Sequence, residues 1–90
     1  MIVQLYGHLR AEAKSRLIEV RLGGRVPLKA ALKLLPDPVR HQVLDERGEI
    51  ITGLLILVND VDARTVYRYE VEVSDDDRVT IVPMIHGGCD

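Results

Sequence analysis

Ninety residues with a formal net charge of −2 suit one small, mildly acidic domain and argue against nucleic acid as the main partner. The single cysteine excludes an internal disulfide, and no run approaches the ~18 apolar residues of a membrane span. Met1 to Tyr6 lacks the basic start and long apolar run of a signal peptide, so a soluble, cytoplasmic protein without a membrane partner is expected. Phe and Trp are absent, which leaves Leu, Ile and Val to build the core. Arg outnumbers Lys nine to three, so Lys14, Lys29 and Lys33 are the side-chain amines.

In chain order, Ile2 to Gly7 alternates Val3 and Leu5 against Gln4 and Tyr6, the pattern of a half-buried strand. His8 to Ser15 reads as a polar connection anchored by Leu9. Arg16 to Leu22 alternates again, with Ile18, Val20 and Leu22 on one face, which predicts an antiparallel hairpin. Gly23-Gly24 breaks that strand, and Pro27 suits the first turn of a helix carrying Leu28, Ala31, Leu32 and Leu35 on one stripe. Pro36 and Pro38 end it, and Asp37 is placed to cap a short second helix from Pro38 to about Asp45. Asp45 to Gly53 reads as a mobile polar loop around Gly48.

Leu54 to Val58 is continuously apolar, as in a strand buried on both faces, and Asn59-Asp60 supplies a turn. Tyr67 to Val73 alternates as a further strand, Asp75-Asp76-Asp77 makes a turn, and Val79 to Val82 is the last strand. Strands flanking one main helix predict an α+β fold with a mixed sheet of four to five strands. Leu54, Ile56, Leu17, Val82 and Met84 fall on faces that the core pattern leaves unclaimed, a candidate docking patch joined by Tyr6. The aspartate turn, with Asp60, Asp62, Glu70 and Glu72, is a candidate acidic surface for steering a basic partner.

The segment Pro83-Met84-Ile85-His86-Gly87-Gly88-Cys89-Asp90 carries the strongest functional signal. Paired glycines there offer bare backbone that threads a narrow channel, so the reactive group is expected to be a main-chain carboxyl. His86 and Cys89 supply only two metal ligands, and no paired carboxylates, Ser-His-Asp set or phosphate loop appears. No bound cofactor or metal is expected.

The element order and Gly87-Gly88 together resemble the ubiquitin-like β-grasp family. Within it, the sulfur-carrier branch is most similar: the molybdopterin synthase small subunit, the thiazole-synthesis carrier and the ubiquitin-related modifiers. The resemblance rests on Val3-Gln4-Leu5-Tyr6-Gly7 with Leu9-Arg10, on a helix opening at Val26 and on Leu57-Val58-Asn59-Asp60. It also rests on Asp77-Arg78-Val79-Thr80-Ile81-Val82-Pro83 before the glycines. Pro83 matches the small-subunit relatives, while His86-Gly87-Gly88 matches the modifiers.

This resemblance implies a β-grasp domain over residues 1–83, a flexible tail over residues 84–90, and a protein cosubstrate in place of an enzyme. An activating enzyme would use ATP to adenylate Gly88, and sulfur would convert it to a thiocarboxylate or thioester. The implied partners are that enzyme, a sulfur-receiving enzyme or larger synthase subunit, and target lysines. Val82, Pro83, Met84, Ile85 and His86, with Leu54 and Ile56, would contact the partner. The sequence departs from the pattern twice: Asp76 replaces a turn glycine, and Cys89-Asp90 follows the second glycine. The second departure implies a processing protease that cuts between Gly88 and Cys89. The alternative is a β-grasp interaction module whose tail is never activated.

Overall fold

The computed structural model describes residues 1–84. β1 (Ile2–Leu5) sends Val3 and Leu5 into the core, as alternation requires. The following stretch is a helix, α1 (Gly7–Ala13), and not the expected polar connection. His8-Leu9-Arg10-Ala11-Glu12-Ala13 is rich in strong helix formers, and one buried anchor, Leu9, suffices to dock it. Lys14 closes it in the left-handed conformation, its N–H donating to the Ala11 and Arg10 carbonyls. β2 (Leu17–Glu19) then returns antiparallel, with Ile18 opposite Val3.

β3 (Val26–Pro27) precedes α2 (Leu28–Leu32), so the helix opens after Pro27, two residues later than Val26. Leu28, Ala31, Leu32 and Leu35 are buried as one stripe. Beyond Leu32 the chain tightens, with Leu34 and Leu35 donating to the Ala31 and Leu32 carbonyls three residues back. α3 (Val39–Val43) buries Val39 and Val43. Asp37 does not cap it: its carboxylate accepts from the Arg40 guanidinium at 3.0 Å and faces His41 Nδ1 at 3.1 Å.

The loop after α3 is tied down. Asp45 Oδ1 accepts from the N–H groups of Arg47 (2.8 Å) and Glu49 (3.0 Å), and Lys29 reaches Glu49 at 2.6 Å. The Glu49 amide is the main reason the Asp45 carboxyl sits below its ordinary value. β4 (Leu54–Val58) is joined to β5 (Val61–Asp62) by Asn59 and Asp60, both at positive φ, in the two-residue hairpin their sequence suggests.

The segment expected to continue as a strand from Tyr67 instead begins as α4 (Ala63–Tyr67). Asp62 caps it, accepting from the N–H groups of Arg64 (3.0 Å) and Thr65 (3.3 Å). Arg68 and Tyr69 then take positive φ, and the alternation of Tyr67, Tyr69, Val71 and Val73 survives as only a two-residue strand, β6 (Glu72–Val73), paired with β3. The aspartate turn closes by an Asp77 N–H donating to Ser74 O at 3.1 Å, and Asp76 is not among the positive-φ residues, so the turn differs from the glycine-bearing form.

β7 (Arg78–Pro83) completes a five-stranded mixed sheet in the order β2-β1-β7-β4-β5. β7 runs parallel to β1 and antiparallel to β4, so the last strand fills the centre. Val3, Leu5, Ile56, Val79 and Ile81 from the sheet meet Leu9, Leu28, Leu32, Val39 and Val43 from the helices in one core. Each such side chain contributes roughly 1.5–3 kcal/mol by burial.

Candidate functional site

The candidate site begins where β7 ends. Tyr6 donates its N–H to Ile81 O at 3.2 Å, which holds the end of β1 beside this strand. Pro83 lies opposite Leu54, and its ring packs on Gly7. Gly7 has φ +60, and a Cβ there would lie 3.2 Å from Pro83 Cγ, so a side chain would be strained by both the turn and the contact. On the other flank the Met84 N–H donates to Gly53 O at 2.6 Å, with Gly53 at φ 92. Two glycines, Gly7 at the start of α1 and Gly53 just before β4, thus flank the chain as it leaves the sheet. Ile85, His86, Gly87, Gly88, Cys89 and Asp90 lie outside the described residues, and with them the expected activation and processing positions.

The expected docking patch is corrected in part. Leu54 and Ile56 are core residues, 8% and 0% exposed, and not surface residues. Ile56 pairs with Ile81 and Val58 with Val79, so the inward parity of β7 carries Leu54, Ile56 and Val58 inward too. The outer face takes the alternate residues Leu55 and Leu57, both half-buried. Leu55 lies opposite Val82; Leu57 lies opposite Thr80, which pairs across β1 with Gln4, itself opposite Leu17. Leu17 (52%), Tyr6 (44%) and Met84 (52%) are exposed at the margin of this face. Leu55 and Leu57 were missed because an unbroken apolar run hides its parity; the alternation of Val79 and Ile81 in the partner strand carries it.

Most carboxylates of the expected acidic surface are also tied into local contacts. Asp75 accepts from the N–H groups of Leu22 (2.6 Å) and Gly23 (3.0 Å). Asp77 accepts from Asn59 Nδ2 (2.8 Å) and from the Ser74 N–H (2.7 Å). The Leu22 amide chiefly lowers the Asp75 pKa and the Asn59 amide chiefly lowers that of Asp77, since both bonds favour the charged form. Asp60 pairs with Arg78 at 2.9 Å and Glu72 with Arg25 at 3.5 Å. Asp76 and Glu70 make no ion pair among the described residues.

Among the described residues, no three His, Cys, Asp or Glu side chains converge as a metal site, and no helix is long and apolar enough to cross a membrane. What the arrangement offers chemically is a directed exit beside an apolar sheet face.

A family model described as Urm1 (Ubiquitin related modifier) matches residues 13–88. The chain is 28% identical over 82 residues to the Ubiquitin-related modifier 1 homolog of Caenorhabditis elegans, covering 83% of this chain and 82% of that protein. It superposes on the solution structure of Urm1 from Trypanosoma brucei with a TM-score of 0.71 at 31% identity, covering 97% and 93% of the two chains. A chain of the Amycolatopsis orientalis BexX/CysO complex gives a TM-score of 0.71 at 25% identity, covering 97% and 98%. These neighbours are ubiquitin-like β-grasp proteins, and the mixed five-stranded sheet described above is of that kind.

Proposed function

The chain belongs to the Urm1 (ubiquitin related modifier) family, and from that premise we propose that it serves as a protein cosubstrate whose reactive group is the Gly88 carboxylate. An ATP-dependent activating enzyme adenylates that group: a carboxylate oxygen attacks the α-phosphorus of ATP and pyrophosphate leaves. A partner persulfide then attacks the acyl carbon and expels AMP, and a second partner thiol cleaves the resulting acyl disulfide, forming a disulfide and releasing a thiocarboxylate for sulfur delivery. A thiolate attacking in place of the persulfide gives a thioester for transfer to a lysine. The general base and oxyanion donors come from the partner. ATP is the partner's substrate, and this scheme requires no cofactor on the chain itself.

The observation that carries the reading is the exit itself. The central strand delivers Pro83 and Met84 between Gly7 and Gly53, beside the face formed by Leu55, Leu57 and Val82, with Gly87 and Gly88 three and four residues beyond Met84. Fixing the direction of departure lowers the entropy lost when the tail enters a channel. While Cys89 follows, the Gly88 carbonyl is an amide without a carboxylate to adenylate, so a protease first cuts after Gly88. A neighbour named as part of a BexX/CysO complex supports docking of this fold on another protein, here an activating enzyme and then a sulfur-receiving enzyme or larger synthase subunit.

ATP–pyrophosphate exchange by the host's activating enzyme tests this. The chain ending at Gly88 should support exchange, the same chain with Gly88→Ala should lose roughly 10²-fold through misplacement in the channel, and the uncut chain should give none. Equal exchange by all three would leave the interaction module as the better account.

A further inference from the structure

The two ends of the sheet differ in charge. Because β1 and β7 run parallel, both begin at one end, where Glu19, Asp60, Asp75, Asp76 and Asp77 outnumber Arg21, Arg78 and the Met1 ammonium that pairs with Asp75. Both finish at the opposite end, where the tail departs. There α1 and the link to β2 gather Arg10, Lys14 and Arg16 around a shallow recess floored by Gly7, Ala11 and Ser15. No acidic residue lines this recess, and Glu12 of the same helix does not reach it. None of the three cations has a carboxylate within 4.0 Å among the described residues, a state they share with Arg21, Lys33, Arg64 and Arg68; what sets the three apart is that they converge on one recess. The recess adjoins the exit, since Gly7 both lines it and touches the Pro83 ring.

We infer that Arg10, Lys14 and Arg16 form a docking contact for an acidic segment on the rim of the protein channel that takes up the tail. This rests on the reading of Gly88 as the activated group, and it adds the charge that such a partner presents. Unneutralised cations beside an exit attract a negative rim, while the opposite, acidic end of the sheet is repelled by it. The charge distribution therefore turns the molecule tail-first before contact. Nucleic acid fits less well: three cations on a chain of net charge −2 fall short of the roughly 6–10 phosphate contacts of a backbone-binding protein.

The test is ATP–pyrophosphate exchange by the host's activating enzyme against chain concentration, at low and high salt, with chains ending at Gly88. Arg10→Glu, Lys14→Glu and Arg16→Glu together should raise KM roughly 10-fold at low salt with kcat unchanged, and the gap should close at high salt. The neutral Gln triple should fall between them. A control triple with the same net charge, Lys33→Glu, Arg47→Glu and Arg68→Glu, should stay within about twofold of the parent, since these exposed positions do not line the recess. Circular dichroism of each variant confirms folding.

Equal KM shifts in both triples would reduce the effect to net charge and overturn the inference, as would a fall in kcat alone. Salt-sensitive binding of bulk tRNA by the parent, lost in the first triple, would reassign the recess to phosphate. Absence of exchange with the parent would sink the functional reading and this inference with it, whereas an active parent with unaffected variants sinks this inference only.

Discussion

Replacing Gly7 with alanine probes the exit from the body of the protein. The residue sits at φ +60, where an L side chain costs about 1–2 kcal/mol. The new Cβ would also lie 3.2 Å from Pro83 Cγ and 3.4 Å from Cδ, so the ring must give way by a few tenths of an ångström. Because Pro83 is only half-buried, that contact should add about 0.5–1 kcal/mol, less than the 1–3 kcal/mol of overpacking in a sealed core. The sum is about 2 kcal/mol, or roughly 8–16 °C in Tm for a domain of this size. Thermal unfolding measures the total, and a double-mutant cycle with Pro83→Ala separates its parts. Removing the ring should leave the backbone cost and abolish the contact, a coupling of about 0.5–1 kcal/mol. A Gly7→Ala variant within about 0.5 kcal/mol of the parent would refute the strain argument. A full penalty untouched by Pro83→Ala would refute the claim that Gly7 shapes the exit.

Ile56→Ala should cost about 2–5 kcal/mol in chemical denaturation, while Leu55→Ala, one residue away on the outer face, should cost about 1 kcal/mol or less. Equal costs would mean that the β4 parity is wrong. Leu55→Glu should instead raise the KM for the activating enzyme with little change in Tm, and an unaltered KM would remove this face from the docking surface. The Asp75 and Asp77 carboxyls are held below the ordinary 3.8, so the stability they contribute is complete above that value and lost as pH falls through their folded pKa values. Tm followed from pH 6 to pH 2 should therefore drop below about pH 4, and Asp75→Asn with Asp77→Asn should flatten that drop. An identical slope would rule out these latches as its source. Asp62→Ala removes the cap of α4, and faster amide exchange at Arg64 and Thr65 by NMR should report it.

Strands with clean alternation were legible because period two is a direct consequence of the pleat: Val3 and Leu5, Ile18 and Val20, Val79 and Ile81 all face as expected. The stripe of α2 was legible for the same kind of reason. α1 was not, since a short helix pinned by Leu9 shows almost no periodicity, and its signal lay in propensity. α4 was obscured by the tyrosines that mimic a strand, although Asp62 followed by Ala63 carries a cap signature. Of the residues named for the candidate site, Val82, Pro83 and Met84 lie at the end of β7, while Leu54 and Ile56 were assigned to the wrong face. The glycine clamp was invisible beforehand, because Gly7 and Gly53 meet the exit only through pairings between residues far apart in the chain.

The place of β7 has a consequence for biosynthesis. Translation delivers it after every other described element, yet it is the slat between β1 and β4. Until it emerges from the ribosome, those two strands have no common neighbour, and the sheet cannot close. A nascent or prematurely stopped polypeptide therefore lacks the finished face, which only a chain synthesised through β7 can present.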